Sequence, residues 1–268
     1  MLEELKNNAR DLLENRTANV VIGYGKGSGK NVRPVFIRKP GEVEQLIFDE
    51  KCVQNLAVYL LKPEVKALGK PAIVAILPVM RTINQLTAEN QIAEGEVTVI
   101  GISQEGTILK FTDLKSVGLY VSKIPSELTQ EDKKRLEQIE ELPPEERWAF
   151  WQQKLSACIK CYACRASCPL CYCSRCTVEC NQPQWISVPS HKLGNMEWHI
   201  MRAMHLAGRC VNCGDCFRAC PLEIPLNILT QKLAEEVIRN FGITAETEEG
   251  PIYPLSTFNP DDKADFIR

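Results

Sequence analysis

The sequence repeats one pattern, C-x2-C-x2-C-x3-C-P, first as Cys158-Ile-Lys-Cys161-Tyr-Ala-Cys164-Arg-Ala-Ser-Cys168-Pro169 and then as Cys210-Val-Asn-Cys213-Gly-Asp-Cys216-Phe-Arg-Ala-Cys220-Pro221. Three cysteines at intervals of three let a tight loop direct three thiolates at one cubane, whereas the fourth, redirected by its proline, reaches the other cubane. The spacing therefore predicts two [4Fe–4S] clusters. The first set of ligands is Cys158, Cys161, Cys164 and Cys220, and the second set is Cys210, Cys213, Cys216 and Cys168.

The cysteine distribution favours metal binding over disulfides. Of 13 cysteines, all but Cys52 lie between Cys158 and Cys220. Structural zinc is the alternative, but zinc sites usually combine two C-x2-C pairs and do not require a third cysteine or the C-x3-C-P ending. Because every position of both motifs is a cysteine, no iron is left open to substrate. The pattern favours electron transfer over catalysis at the clusters.

Four further cysteines with irregular spacing lie between the motifs: Cys171, Cys173, Cys176 and Cys180. They could hold a third metal centre, although reduced thiols packed beside the clusters are the favoured interpretation. The nearby His191, His199 and His205 are expected in polar core or surface roles, since residues 199 and 205 do not share a helical face. Cys52 is expected to be buried rather than catalytic, because its region has no histidine to activate it.

The first part of the chain alternates predicted strands and helices. Strands are predicted at 17–22, 34–38, 72–77 and 97–102, and helices at 52–61 and 79–90. The last two strands are continuous apolar runs on either side of a helix, which is typical of a parallel βαβ unit. Residues 1–125 are therefore expected to form an α/β domain.

The remainder is predicted to be mainly helical. Residues 126–154 form a helical linker with helices at 131–141 and 145–155, the latter opened by Pro143-Pro144. Residues 155–240 form the dicluster domain, in which Asn195 is expected to cap a helix ending at Gly208. A last helix is predicted at 225–240, and residues 241–268 are expected to form an extended C-terminal arm.

A glycine-rich segment, Gly23-Tyr-Gly25-Lys-Gly27-Ser-Gly29-Lys30-Asn31, invites comparison with phosphate-binding loops. The pattern G-x4-G-K-[ST] fails at Tyr24 and Asn31, and G-x-G-x-x-G fails as well. A hairpin turn between two strands is favoured over a loop that binds a nucleotide phosphate.

Composition excludes several other function classes. The chain is 44% hydrophobic and 25% charged, with a formal net charge of -2, so nothing biases it toward nucleic acid. No apolar run approaches the roughly 18 residues of a membrane span, and residues 1–15 form a charged amphipathic stretch rather than a signal peptide. A cytoplasmic protein is expected.

The long separation between the two motifs is similar to that in a known type of iron–sulfur domain. Residues 169–209 separate the motifs and include the predicted helix that begins at Asn195. The arrangement over residues 145–240 resembles the α-helical ferredoxin domain of succinate dehydrogenase iron–sulfur subunits and heterodisulfide reductase subunits. The resemblance implies an α-helical rather than a compact ferredoxin.

Residues 20–106 resemble the α/β region of the coenzyme F420 hydrogenase and dehydrogenase β-subunit family. The resemblance rests on three stretches, which are the glycine-rich segment followed by Val32-Arg33-Pro34-Val35-Phe36, Lys51-Cys52-Val53-Gln54-Asn55-Leu56-Ala57, and Asn90-Gln91-Ile92 before Val99-Ile100-Gly101. Two family cysteines are replaced here by Pro78 and Gln104. The domain is therefore expected to be a degenerate member of the family.

The whole chain resembles iron–sulfur subunits of anaerobes associated with heterodisulfide-reductase-like flavin oxidoreductases. The resemblance implies a non-catalytic electron-transfer subunit. Its implied partners are a flavoprotein linked to NAD(H) or F420 and a heterodisulfide-reductase-like subunit, formate dehydrogenase or hydrogenase. The alternative is a catalytic β-subunit of an F420- or NAD-dependent enzyme, with FAD held by residues 1–125.

Overall fold

A computed structural model describes residues 1–126, 128–176, 178, 180 and 183–245. The described residues form a mixed five-stranded sheet with helices, followed by a mainly helical part. Part of the predicted C-terminal arm, residues 246–268, lies outside the described residues.

The sheet has the order β2-β1-β3-β4-β5. Its strands are β1 (Val20–Lys26), β2 (Val32–Ile37), β3 (Pro71–Ala75), β4 (Thr98–Ile102) and β5 (Ile108–Lys110). The three central strands are parallel, and each edge strand runs antiparallel to its neighbour. The parallel pairing of β3 and β4 around a helix confirms the predicted βαβ unit.

Helices accompany the sheet along the chain. They are α1 (Leu2–Glu14), α2 (Pro63–Lys66), α3 (Leu77–Ala88) and α4 (Leu114–Val121), with short 3-10 helices at Pro40–Gln45 and Leu56–Tyr59. The predicted helix at 52–61 is wrong over its first half. Asn55 takes an extended conformation there, and its side chain accepts a hydrogen bond from the Ala57 N–H, so only a 3-10 turn follows.

The glycine-rich segment is the predicted hairpin. Residues 23–26 of the segment lie within β1, and the turn is closed where the Gly27 N–H donates to the Asn31 carbonyl at 2.7 Å. Gly25 lies so close to β2 that a Cβ there would meet Val35 Cγ1 at 2.4 Å. The small residue is therefore needed for strand packing, and the hairpin prediction is confirmed.

The second part of the chain is built from helices. They are α5 (Gln130–Glu140), α6 (Pro144–Ser156), α7 (Ala163–Ala166), α8 (Lys192–His205), α9 (Asp215–Arg218) and α10 (Leu226–Phe241). The predicted helices at 131–141, 145–155 and 225–240 are confirmed to within one residue. Thr129 caps α5, Pro144 opens α6, and Gly242 ends α10 with a positive φ of 68°.

Helix α8 begins earlier than predicted. His191, not Asn195, is its N-cap, because the His191 ring accepts a hydrogen bond from the Gly194 N–H at 3.4 Å. Asn195 is instead fully buried within the helix, where its amide is used in tertiary contacts. The helix ends with Leu206 as its C-cap, two residues before Gly208.

Polar contacts join the sheet to the helical part at two places. Glu89, just after α3, accepts hydrogen bonds from Arg209 Nε at 2.7 Å, from Arg209 Nη2 at 2.6 Å and from the Tyr172 hydroxyl at 2.7 Å. On the other side, the Asn55 N–H donates to Asp215 Oδ2 at 2.7 Å. The apolar core of the sheet also continues into the second part, so the two parts are packed together.

Across the part of the chain that the structure describes, no helix is both long and apolar enough to cross a bilayer.

Candidate metal centre

The two cysteine motifs have the same backbone conformation. Lys160 and Tyr162 in the first motif have positive φ values of 51° and 59°, and their equivalents Asn212 and Gly214 have 55° and 76°. A four-residue helix follows each pair, α7 in the first motif and α9 in the second. Left-handed geometry costs a non-glycine residue about 1 kcal/mol or more. The same left-handed positions in both motifs indicate that the two loops have the same function.

The first set of cysteines lines a single cavity. The lining includes three cysteines of the first motif and one of the second, namely Cys158, Cys161, Cys164 and Cys220. Cys158 and Cys164 are buried, whereas Cys161 is exposed. The Lys160 N–H donates to Cys158 Sγ at 3.3 Å, so a backbone amide already faces this sulfur.

The environment of the first set opposes ionisation of its free thiols. Burial raises the pKa of Cys164 to about 11, and the nearby Cys158 and Cys220 add to the rise, although Arg202 opposes it. Burial also raises the pKa of Cys158. A bound cation would remove this penalty, because metal binding replaces the thiol protons.

The second set of cysteines also interacts as a group. The pKa of Cys213 is raised well above its ordinary value by burial, then by the Asp215 carboxylate and by Cys168 of the first motif. Burial similarly raises the pKa of Cys210 and Cys216, both of which feel the charge of Cys168. Cys168 is thus grouped electrostatically with the second motif rather than with its own.

Cys171 lies beside the second set. A hydrogen bond from the Cys171 thiol lowers the pKa of Cys168 to about 6, and the pKa of Cys171 is raised in turn. The sequence pattern did not indicate this contact, because Cys171 belongs to neither motif.

Three of the four extra cysteines border an open cavity. Cys171, Cys173 and Cys176 border about 670 Å³ of space near Arg165 and Trp198, and Cys180 is exposed. Among the residues that the structure describes, no three His, Cys, Asp or Glu side chains are grouped to hold a metal ion.

Arg202, which sequence reasoning missed, is a buried cation between the two sets. Its side chain donates to the Cys164 carbonyl at 3.0 Å, and its charge acts on Cys164, Cys168 and Cys216. Arg202 is 5% exposed. The available signal was helical spacing, because residues 195, 198, 199 and 202 recur at three and four along α8.

Asn195, predicted only as a helix cap, fixes the first cysteine loop. Its Nδ2 donates to the Cys158 carbonyl at 2.7 Å, to Ser190 Oγ at 3.2 Å and to the Ser156 carbonyl at 3.4 Å. Helix α8 therefore holds the end of α6 and the start of the first motif.

The three histidines have different surroundings. His191 caps α8, His205 is exposed, and His199 is buried. Burial, with Arg202 and Lys160 nearby, lowers the pKa of His199 to about 3, so its ring is neutral at pH 7. These placements agree with the predicted polar core and surface roles.

Cys52 is buried, as predicted, with 3% exposure. Burial raises its pKa to about 11, which opposes reactivity. It lies in a turn rather than in the predicted helix.

Comparison with known proteins gives partial matches. No protein-family model matches the chain. The chain is 36% identical over 112 residues to the F420-dependent formate dehydrogenase subunit beta of Methanocaldococcus jannaschii, covering 41% of this chain and 27% of the relative. It is 32% identical over 92 residues to F420-dependent formate dehydrogenase 1 subunit beta of Methanococcus maripaludis, covering 34% and 23%.

A third relative matches over a longer stretch at lower identity. It is the acetyl-CoA decarbonylase/synthase complex subunit alpha 1 of Methanosarcina mazei, 23% identical over 230 residues that cover 86% of this chain and 25% of the relative. The chain thus spans about a quarter of the length of these three curated relatives, each of which is named as a subunit.

Proposed function

We propose that this chain is an iron–sulfur subunit that relays electrons within a multisubunit oxidoreductase. Two [4Fe–4S] clusters, held by the two sets of cysteines, supply one-electron redox chemistry when bound. The observation that carries the proposal is the cavity lined by all four cysteines of the first set, one of which belongs to the second motif.

The donor set fits a polynuclear cluster. Four thiols that border a cavity, rather than converging on one point, match the needs of a cubane better than those of a single zinc ion. The exchange of Cys168 and Cys220 between the motifs is the crossing expected of two-cluster ferredoxins. Both features support an α-helical ferredoxin over residues 155–240.

The protein's own residues would fix the ligands. Asn195 holds the Cys158 carbonyl, and the positive-φ residues turn the loops so that their cysteines share one side. Arg202 places a buried positive charge between the two sets, where it offsets the negative charge of the thiolates. Each cluster would have four cysteine ligands, one for every iron, so no iron would be open to substrate. The proposed role is therefore electron transfer rather than catalysis.

The comparisons support a place in a complex. Two relatives are named as β-subunits of F420-dependent formate dehydrogenases, which agrees with the resemblance over residues 20–106. We propose that the chain works beside a flavoprotein linked to NAD(H) or F420 and a heterodisulfide-reductase-like, formate dehydrogenase or hydrogenase partner. The α/β domain would then be a docking and support element.

The test is cluster loading of the full chain under anaerobic conditions, with iron analysis and electron paramagnetic resonance (EPR). We expect about eight iron atoms per chain, as two cubanes require. Cys220→Ala and Cys158→Ala should lose the same cluster signal, and Cys168→Ala and Cys210→Ala should lose the other. Cys52→Ala is the matched control and should keep both.

Two results would contradict the proposal. Loss of the same signal in Cys220→Ala and Cys210→Ala would show that each motif binds its own cluster without crossing. Tightly bound FAD, with turnover of F420 or NAD(P)H, would instead favour the catalytic β-subunit.

A further inference from the structure

One face of helix α8 is turned toward the candidate metal centre. Asn195, Trp198, His199 and Arg202 follow helical spacing and are all buried, with exposures of 0%, 2%, 2% and 5%. Trp198 and His199 line the same cavity as the first set of cysteines. The face therefore brings polar nitrogen atoms to this site.

The nitrogen atoms of Trp198 and His199 need hydrogen-bond partners. Among the described residues, Trp198 Nε1 and both ring nitrogens of His199 are buried and have none. An unsatisfied buried donor costs about 1–3 kcal/mol, and native structures seldom leave one. The cavity that both residues line is bordered by sulfur atoms, which can accept such bonds. Sulfur atoms bound in this cavity are therefore the natural acceptors.

The second set of cysteines has a different electrostatic environment. Asp215 lies between Cys213 and Cys216 in the sequence, and its side chain is buried. Its carboxylate raises the pKa of the Cys213 thiol. Its ion-pair partner Arg218 is more exposed, with 41% of its side chain accessible against 4% for Asp215. The buried Arg202 also acts on Cys168 and Cys216 of this set, so charges of both signs surround it.

We propose that Trp198 and His199 donate N–H hydrogen bonds to sulfur at the first site and raise the reduction potential of a cluster held there. The inference rests on the proposed function. N–H···S hydrogen bonds favour the reduced, more negative state of a cluster.

The experiment is an anaerobic redox titration of the cluster-loaded full chain, followed by EPR. Trp198→Phe and His199→Leu each remove an N–H donor, and each should lower the midpoint potential of the cluster that is lost in Cys158→Ala while leaving the other unchanged. We expect the reduction equilibrium constant to fall about tenfold per variant, which is about 59 mV for a one-electron couple.

Controls separate tuning from damage. His199→Gln keeps an N–H donor and should stay near the wild-type potential, as should Trp148→Phe and His205→Leu, which alter exposed side chains. Iron content near the wild-type value shows that each variant retains its clusters. If Trp198→Phe and His199→Leu lose iron, the measurement uses Trp198→Met and His199→Met, which also lack an N–H donor on the side chain.

The inference is overturned if the donor-removing variants leave both potentials unchanged or move only the potential of the cluster held by the second set. Failure of the proposed function looks different, because the wild-type chain would then lack two titratable clusters or would hold far fewer than eight iron atoms.

Discussion

Replacing Glu89 with glutamine should weaken the junction between the sheet and the helical part. Glu89 is 5% exposed at its side chain and Arg209 is 19% exposed. Four hydrogen bonds, two from Arg209 and one each from Tyr172 and Gln85, end on this carboxylate. Breaking a buried ion pair by removing one partner costs about 3–5 kcal/mol, because the other charge stays buried. Since Arg209 is partly accessible, we expect a loss near the lower end, about 3 kcal/mol.

The assay is anaerobic urea unfolding of the cluster-loaded chain, followed by circular dichroism and by cluster absorbance. Glu44→Gln is the matched control, because Glu44 pairs with Lys6 and Arg10 at 2.8 and 3.0 Å but is 62% exposed. Exposed pairs contribute about 0–1 kcal/mol. The double variant Glu89→Met with Arg209→Met should recover much of the loss, since no charge is then left unpaired.

The pH dependence supplies a second check on Glu89. Burial alone would raise the pKa of Glu89, but the Arg209 hydrogen bonds and charge outweigh it and lower the pKa below its ordinary value of 4.5. A lowered folded-state pKa gives stability that is present above the unfolded value and lost as the pH falls through the folded value. The difference between wild type and Glu89→Gln should therefore shrink below pH 4.5. The reasoning is refuted if Glu89→Gln at pH 7 costs no more than Glu44→Gln.

Two further substitutions test other parts of the structure. Asn195→Ala should speed loss of the cluster held by the first set and lower the free energy of unfolding by about 1–3 kcal/mol, because it removes the donor to the Cys158 carbonyl; equal loss rates of both cluster signals would contradict this. Gly25→Ala should cost about 1–3 kcal/mol through overpacking against Val35, whereas Gly41→Ala, with open space around it, should change the free energy by no more than about 0.5 kcal/mol in the same urea assay.

Much of the fold could be predicted from local pattern. Continuous apolar runs predicted β3 and β4, and the proline pair at 143–144 predicted the start of α6, because backbone restriction acts within one turn. The errors also have local causes. The helix predicted at 52–61 failed where the Asn55 side chain accepts a hydrogen bond from the Ala57 N–H, and α8 started early because His191 can serve as a cap.

For the candidate metal centre, the ligands could be predicted from the sequence and the supporting contacts could not. Regular spacing alone predicted eight cluster ligands and their exchange between motifs, since three thiols on one loop must share one centre and the fourth is turned away by proline. Spacing could not predict Asn195 as the support of the Cys158 loop, nor the contact of Cys171 with Cys168. Those contacts join residues that are distant in the chain or lie outside the motif.

The sequence by itself determined which cysteines are the predicted ligands, because ligand type and spacing are local properties of the chain. Tertiary structure alone decided the surroundings of those cysteines. It put Arg202 between the two sets, placed Trp198 and His199 along the cavity of the first set, and joined Glu89 to Arg209 across the junction. Each depends on which face of a helix becomes buried and against what, and packing of the whole chain decides that.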